Sequence, residues 1–145
     1  MRIAVIHGPN LRLLGKREPE VYGTSTLADI EAELESLASE LDMEVEFFHS
    51  NHEGEILDFL EDVQGRAQGI LINPGGLTHT SVSLRDGLVG IGLPVVEIHI
   101  SNPSAREPFR HRSFVAPIAL ATVAGFGKNS YVLGLRGLAA HLQQS

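Results

Sequence analysis

The chain has 145 residues, of which 43% are hydrophobic, and its formal net charge is −7 at pH 7. This length favours one domain, 1–145, with a core of its own, whereas the acidic balance argues against nucleic-acid binding. The chain has no cysteine, which excludes disulfides, thiolate metal ligands and thiol nucleophiles. It shows no secretory signal pattern and no apolar run near the roughly 20 residues of a membrane span. We therefore expect a soluble cytoplasmic protein.

Strand-like and helix-like segments alternate along the chain. The first, "RIAVIH" at 2–7, is typical of a buried strand. The next, 26–41, repeats apolar residues at helical spacing and begins with Thr26 and Asp29 in capping-box positions. The same patterns predict strands at 44–50, 69–73, 94–100 and 120–127, and helices at 53–64, 80–89 and 129–142. This alternation predicts an α/β protein with a doubly wound, parallel, five-stranded sheet and helices on both faces.

Polar residues follow three of the predicted strands. Asn10 comes shortly after the first, Asn73 and "PGGLTHTS" follow the third, and the fourth ends in "EIHISNPSAREPFRHR". Ligands of open parallel sheets bind at the carboxyl ends of the strands. The amides, imidazoles, hydroxyls and guanidiniums at these ends suit a small anionic, hydroxylated ligand.

Phosphate loops and metal sites do not fit the sequence. A Walker loop would need glycine where Asn10 stands and Ser or Thr where Arg17 follows Lys16. No Gly-x-Gly-x-x-Gly follows the first strand, and none of the seven histidines forms a His-x3-His pair with a glutamate. We expect neither nucleotide binding nor a metal.

Three stretches, "GPNLRLLGKREPEVYG", "INPGGLTHTSVSLRD" and "VEIHISNPSAREPFRH", resemble the type II 3-dehydroquinate dehydratase family in order and spacing across nearly the whole chain. The resemblance implies a flavodoxin-like fold and the dehydration of 3-dehydroquinate to 3-dehydroshikimate in the shikimate pathway to chorismate and aromatic amino acids. It also implies no metal or cofactor, and a dodecamer built from trimers. Quinate breakdown uses the same reaction and stays an alternative, as does a non-catalytic flavodoxin-like module that binds a small anion.

The resemblance makes Tyr22 the base that removes a C2 proton beside the C3 ketone. An ordinary tyrosine has a pKa of about 10 and needs help to ionise at neutral pH. Arg17, five residues earlier, would supply the positive charge. The alternative is an aromatic anchor with Arg17 paired to Glu18 or Glu20. In the catalytic interpretation, the 15–23 segment is a lid that carries base and activator.

The resemblance makes His99 the acid that protonates the departing C1 hydroxyl. Glu97, two residues earlier, would lie on the same face of the strand and orient the imidazole. The alternative is that His99 is an ordinary core histidine. The nearby carboxylate argues against this alternative, because a buried carboxylate needs a partner. Asn10 would hold a water near the enolate; its alternative is a simple turn.

Further residues are assigned to the substrate by the resemblance alone. These are Asn73, His79, Asp86, Ile100, Ser101 and Arg110. His79 and Asp86, seven residues apart, are expected on one helix face, while Arg106 and Arg112 are expected in solvated or subunit-contact positions. Two departures from the usual family pattern, Arg12 and Gly76-Leu77, affect the loop contacts rather than the chemistry.

Overall fold

A computed structural model of the chain describes residues 1–16 and 18–144 and contains one parallel sheet in the order β2-β1-β3-β4-β5. Its strands are β1 Arg2–His7, β2 Glu44–His49, β3 Gly69–Asn73, β4 Val95–His99 and β5 Ala121–Ala124. The order reverses between β1 and β3, which is the switch point at which doubly wound sheets bind their ligands. The predicted fold class is confirmed.

Helices cover both faces of the sheet. They are α1 Pro19–Tyr22, α2 Leu27–Glu40, α3 Glu53–Val63, α4 Val82–Ile91 and α5 Asn129–Gln143. Thr26 caps α2, and its hydroxyl and the Asp29 carboxylate form the predicted capping box. The ends of the four longer helices lie within two residues of the predicted ones, whereas α1 was not predicted.

The start of α4 corrects one prediction. Gly75–His79 forms a separate 3-10 helix, and the Ser81 hydroxyl caps α4 by accepting the Leu84 N–H at 2.8 Å. His79 and Asp86 therefore do not share a helix face, and that expectation was wrong. The cause is local, because Ser81 as N-cap favours a helix start at Val82, two residues later than the apolar spacing alone predicted.

The side-chain alternation of the strands builds two cores. In β1, Ile3 and Val5 pack with α2 and α5, whereas Ala4 and Ile6 pack with α3 and α4. Each fully buried aliphatic side chain contributes about 1.5–3 kcal/mol to stability. Within the two described ranges, no helix is long and apolar enough to cross a membrane.

Candidate active site

A cavity of about 190 Å³ opens at the carboxyl ends of β1, β3 and β4. Eight of the predicted site residues line it: Asn10, Tyr22, Asn73, His79, His99, Ile100, Ser101 and Arg110. Arg106 lines it as well, and the described part of the chain contributes no carboxylate to its wall. The cavity is therefore cationic in an acidic protein, which suits an anionic ligand.

Direct contact between two loops closes one side of the cavity. The Gly8 N–H donates to the Asn73 carbonyl at 2.8 Å, and a Cβ on Gly8 would lie 2.6 Å from the Pro74 carbonyl oxygen. Asn10 adopts the left-handed region with a φ of 72°, which asparagine tolerates well, and its N–H donates to Asn51 Oδ1 at 3.0 Å. The predicted turn at Asn10 is thus real, and it also brings Asn10 to the cavity.

Glu97 and His99 form a pair beneath one wall of the cavity. Because they are two residues apart in β4, both side chains point to the same face, and Glu97 Oε2 lies 2.5 Å from His99 Nε2. The Thr78 hydroxyl donates to the same oxygen at 2.5 Å, and the Ser113 hydroxyl lies 3.1 Å from both carboxylate oxygens. The predicted contact between Glu97 and His99 is present in the structure.

The surroundings of Glu97 keep it charged. Burial by itself would raise the pKa of Glu97, but hydrogen bonds from His99 and Thr78, the charge of His99 and a hydrogen bond from Ser113 together hold it below its ordinary value. An ionised Glu97 accepts a hydrogen bond from the Nε2–H of His99, so the second ring nitrogen of His99 is the one left for the cavity. Among the described residues, that nitrogen has no hydrogen-bond partner.

His79 lies beside His99 at the end of the 3-10 helix. Its Nδ1 lies 2.7 Å from the Arg112 carbonyl, to which it donates, and its ring stacks on that of His99 with the centroids 6.4 Å apart. The carbonyl fixes the Nδ1–H tautomer of a neutral ring and leaves Nε2 as an acceptor. His79 can therefore accept a hydrogen bond from a substrate hydroxyl.

Tyr22 and Arg106 form a second pair on another wall. Arg106 Nη1 donates to the Tyr22 hydroxyl at 2.9 Å and to the Ser101 hydroxyl at 3.1 Å. Its guanidinium carbon also lies 5.2 Å from the centre of the Tyr22 ring. The side chain of Arg106 is only 17% exposed, so of its two expected positions, solvated or at a subunit contact, the solvated one was wrong. Arg17, the predicted activator of Tyr22, lies outside the described residues.

The loop after β4 supplies the remaining charge. Arg110 lines the cavity and donates from Nε to Glu107 at 3.1 Å, and the same carboxylate lies 3.5 Å from Arg106 Nε. Glu107 therefore holds both guanidiniums at the cavity. Its own hydrogen bond to its backbone and the one from Arg110 lower the pKa of Glu107 despite some desolvation, with both arginine charges adding to the effect.

Two charged residues from the sequence analysis lie elsewhere. Asp86 is exposed on α4 and does not line the cavity, so its contact with substrate stays a prediction. Arg112 is exposed as expected, with its guanidinium 4.6 Å from the Phe114 ring centre. In the ranges 1–16 and 18–144, no cluster of three or more His, Asp or Glu side chains could hold a metal ion.

Together, the sheet order, the cationic cavity at its switch point, the tyrosine–arginine pair and the carboxylate-supported histidine define a doubly wound α/β enzyme built for acid–base chemistry. The family model described as dehydroquinase class II matches residues 1–139, and the chain belongs to that family.

Similar proteins support the same assignment. A 3-dehydroquinate dehydratase of Gloeobacter violaceus is 55% identical over 99% of this chain and 90% of its own length. One of Halothermothrix orenii is 56% identical over 94% of this chain and 93% of its own. The crystal structure of a type II dehydroquinase from Butyrivibrio crossotus superposes with a TM-score of 0.93 at 37% identity, covering 95% of this chain and 97% of that one.

Proposed function

We propose that this protein is a hydro-lyase that converts 3-dehydroquinate to 3-dehydroshikimate and water. The observation that carries the proposal is the placement of two proton-transfer groups on one cationic cavity, with Tyr22 beside Arg106 on one wall and His99 above Glu97 on another. The relatives named above support the choice of substrate.

The first step is removal of a proton from C2, next to the C3 ketone. Tyr22 as phenolate takes this proton, and the C2–H electrons move into the ketone to give an enolate. The Arg106 guanidinium, 2.9 Å from the phenolic oxygen, stabilises a negative charge there. Arg17 adds a second positive charge in this proposal. Asn10, in the cavity wall, holds the water that hydrogen-bonds the developing enolate oxygen.

The second step expels the C1 hydroxyl. The enolate electrons return, the C1–C2 double bond forms, and the C1–O bond breaks. His99 donates its proton to the leaving oxygen, which departs as water. Glu97, held in its ionised form, stabilises the protonated imidazole that precedes this transfer. Tyr22 then returns its proton to His99 through solvent, which restores both groups. In this proposal, the chain's own side chains perform the reaction without metal or cofactor.

The remaining cavity residues bind the substrate. Asn73 and the backbone N–H groups of Ile100 and Ser101 hold the carboxylate, since adjacent N–H groups in a turn suit an anion. His79 and Arg110 hold ring hydroxyls from the wall that they share. Asp86 completes this set in the proposal although it lies outside the cavity of a single chain.

We also propose that 15–23 is a lid. Gly15 and Gly23, at its two ends, have φ values of +88° and +81°, a region that glycine enters without strain. Tyr22 lies within this segment and lines the cavity, so lid movement would bring the base to the substrate. Hydrogen exchange should show less protection at 15–23 than in the central strands, and equal protection would contradict the lid.

One assay tests the reaction directly. Purified protein is mixed with 3-dehydroquinate, and the conjugated enone of the product is followed by its ultraviolet absorbance. Steady appearance of the enone supports the proposal, and binding of the substrate without turnover favours the anion-binding module. Disruption of the gene in its own cell separates the two pathways: a requirement for aromatic amino acids would support the shikimate pathway, and loss of growth on quinate would support quinate breakdown.

We further propose one catalytic domain, 1–145, a cytoplasmic location and a dodecamer built from trimers. The family membership motivates the assembly and the location. Light scattering of the purified protein at micromolar concentration should give about twelve times the chain mass of 15.7 kDa. A monomer would contradict the assembly, and recovery of the protein outside the cytoplasmic fraction of its cell would contradict the location.

A further inference from the structure

A buried polar cluster lies beneath the cavity, on the α2 and α5 face of the sheet. His7 and Tyr131 are both 0% exposed, and His7 Nδ1 lies 2.9 Å from the Tyr131 hydroxyl. His7 Nε2 lies 3.0 Å from Glu31 Oε2. Asn73 is also buried and lies opposite His7 on β3, and, against the larger effect of burial, a hydrogen bond from its side chain acts to lower the pKa of the Tyr131 hydroxyl. Buried polar side chains destabilise a core unless they are paired. The mechanism above uses neither His7 nor Tyr131 nor Glu31.

Strand alternation explains why these groups meet. His7 continues the set of Ile3 and Val5 on the face covered by α2 and α5, and Asn73 continues that of Leu71. β1 and β3 are neighbours in register, with His7 opposite Asn73. Tyr131, in α5, brings its hydroxyl to within 2.9 Å of His7 Nδ1. Hydrogen bonds thus connect the Glu31 carboxylate through His7 and Tyr131 to Asn73, which lines the cavity.

Donor and acceptor chemistry allows one direction along this chain of contacts. The Glu31 carboxylate only accepts, so His7 Nε2 carries the proton and Nδ1 of the neutral ring accepts. Burial raises the pKa of Tyr131 far above its ordinary value, against a smaller opposing effect of the Asn73 hydrogen bond. The hydroxyl therefore keeps its proton and donates a hydrogen bond to His7 Nδ1. A doubly protonated His7 would leave that proton without an acceptor among the described residues.

The last contact fixes the orientation of Asn73. The Tyr131 hydroxyl already donates its one proton to His7 Nδ1, so its oxygen accepts a hydrogen bond from the Asn73 NH2 group. The Asn73 Oδ1 atom accepts the Gly75 N–H at 3.1 Å. With its oxygen turned to Gly75 and one N–H turned to Tyr131, Asn73 has a second N–H left. Asn73 lines the cavity, so this N–H is the group that a ligand meets.

We propose that Glu31, His7 and Tyr131 are positioning residues that hold Asn73 as a hydrogen-bond donor toward an anionic oxygen of the substrate. The inference rests on the proposed function, since it takes the cavity as the substrate site. Without the chain of contacts, the hydrogen bond from the Gly75 N–H is the one that remains to the Asn73 amide among the described residues, so the amide can tilt its second N–H away from the substrate carboxylate. Because neither the base nor the acid is touched, the effect falls on substrate binding.

The first test removes only the Tyr131 hydroxyl. We expect Tyr131→Phe to raise KM for 3-dehydroquinate about tenfold, the size of one hydrogen bond to a charged group, with kcat changed less than twofold. In an Asn73→Ala background, Tyr131→Phe should have almost no further effect on KM. If the two losses multiply, Tyr131 does not act through Asn73 and the proposal is overturned.

A matched control separates this effect from general damage to α5. Ser130 is the neighbouring buried hydroxyl, and it accepts the Phe126 N–H at 3.0 Å, away from Asn73. Ser130→Ala should leave KM unchanged. An equal rise in KM for Ser130→Ala and Tyr131→Phe would mean that any disturbance of the helix suffices, which overturns the proposal.

Two variants of His7 provide a rescue test. Asparagine places its Oδ1 atom where histidine has Nδ1, so His7→Asn keeps an acceptor for Tyr131, whereas His7→Leu does not. His7→Asn should keep KM near that of the native protein and His7→Leu should raise it about tenfold. Equal KM values for the two variants would overturn the proposal.

The histidine tautomer gives a readout that does not depend on activity. In ¹⁵N-histidine-labelled protein, the signal that disappears in His7→Asn should have the shifts of a neutral ring protonated at Nε2. A ring protonated at Nδ1 or at both nitrogens overturns the proposal even if the enzyme is active. Absence of any turnover by the native protein, with the expected tautomer present, would instead contradict the proposed function.

Discussion

Arg106 holds the phenolic oxygen of Tyr22 from the opposite loop, with Nη1 at 2.9 Å, although the two residues are 84 positions apart in sequence. Arg106→Met should therefore lower kcat at neutral pH by roughly 10²-fold, within the range of general-base effects. The loss should shrink as the pH approaches the pKa of an ordinary tyrosine, about 10, because the base then ionises unaided. Part of the loss should persist, because Arg106 also holds the Ser101 hydroxyl.

Arg112→Met is the matched control for that variant. Arg112 lies in the same loop but is exposed and stacks on Phe114 outside the cavity. Its kcat should stay within twofold of that of the native enzyme across the pH range. A pH-independent loss for Arg106→Met, with no recovery at high pH, would show that Arg106 does not act on the charge of the base.

Tyr22→Phe should remove the base and leave the cavity shape intact. We expect kcat to fall roughly 10²- to 10⁴-fold, while the dissociation constant of the product, measured by calorimetry, changes little. The reason is that the phenolic oxygen accepts from Arg106 and is not one of the groups that the proposal assigns to the carboxylate. Turnover near that of the native enzyme would assign the base to another residue.

Borohydride should not inactivate the enzyme in the presence of substrate. An imine mechanism needs a desolvated lysine amine, and the chain has two lysines, Lys16 and Lys128. Lys128 is 45% exposed and its Nζ lies 3.2 Å from Glu33, and neither lysine lines the cavity. Mass spectrometry after borohydride treatment should find both lysines unmodified, and a reduced substrate adduct on either would contradict the enolate mechanism.

Periodicity predicted the sheet and the long helices because burial acts on each segment locally. The strands 2–7 and 69–73 were predicted with the bounds that the structure shows. The Glu97–His99 pair was predictable for the same reason, since a spacing of two in a strand fixes a shared face.

Contacts between distant loops could not be predicted in this way. The position of Arg106 depends on how the segment after β4 folds back over the cavity, and no local pattern encodes that path. The His7–Tyr131 contact spans 124 residues. Its one sequence signal is a polar residue, His7, at the end of an apolar strand. The predicted helix face of His79 and Asp86 failed because Ser81 starts α4 after His79.

Gly8→Ala should destabilise the fold and damage the site together. The added Cβ would lie 2.6 Å from the Pro74 carbonyl oxygen, a backbone atom that cannot move without displacing Asn73. We expect a loss of about 1–3 kcal/mol in the free energy of unfolding, as for other overpacked sites, and a rise in KM. Gly90→Ala in α4 is the control, because its Cβ meets nothing within 4 Å. It should gain up to about 1 kcal/mol from helix propensity; equal stability of the two variants would contradict the close approach.

Thr78→Val should move the acid limb of the pH–rate profile to higher pH. Thr78 donates to Glu97 at 2.5 Å, one of the contacts that hold the pKa of Glu97 below its ordinary value of 4.5 despite burial. Losing that donor raises the pKa of Glu97. As the pH falls, the carboxylate of the variant therefore becomes neutral at a higher pH than in the native enzyme, and it then no longer stabilises protonated His99. Ser81→Ala removes a buried hydroxyl from the start of α4, away from Glu97, and should leave the limb in place.

The same substitution should change how stability depends on pH. In the native protein, the folded pKa of Glu97 lies below the unfolded one. Its contribution to stability is therefore fully present above the unfolded value and is lost as the pH falls through the folded value. Thr78→Val should lower the melting temperature more at pH 7 than at pH 3, because near pH 3 the native protein is itself losing this contribution. A deficit that is the same at both pH values would show that Thr78 stabilises the fold by packing alone and does not act on the charge of Glu97.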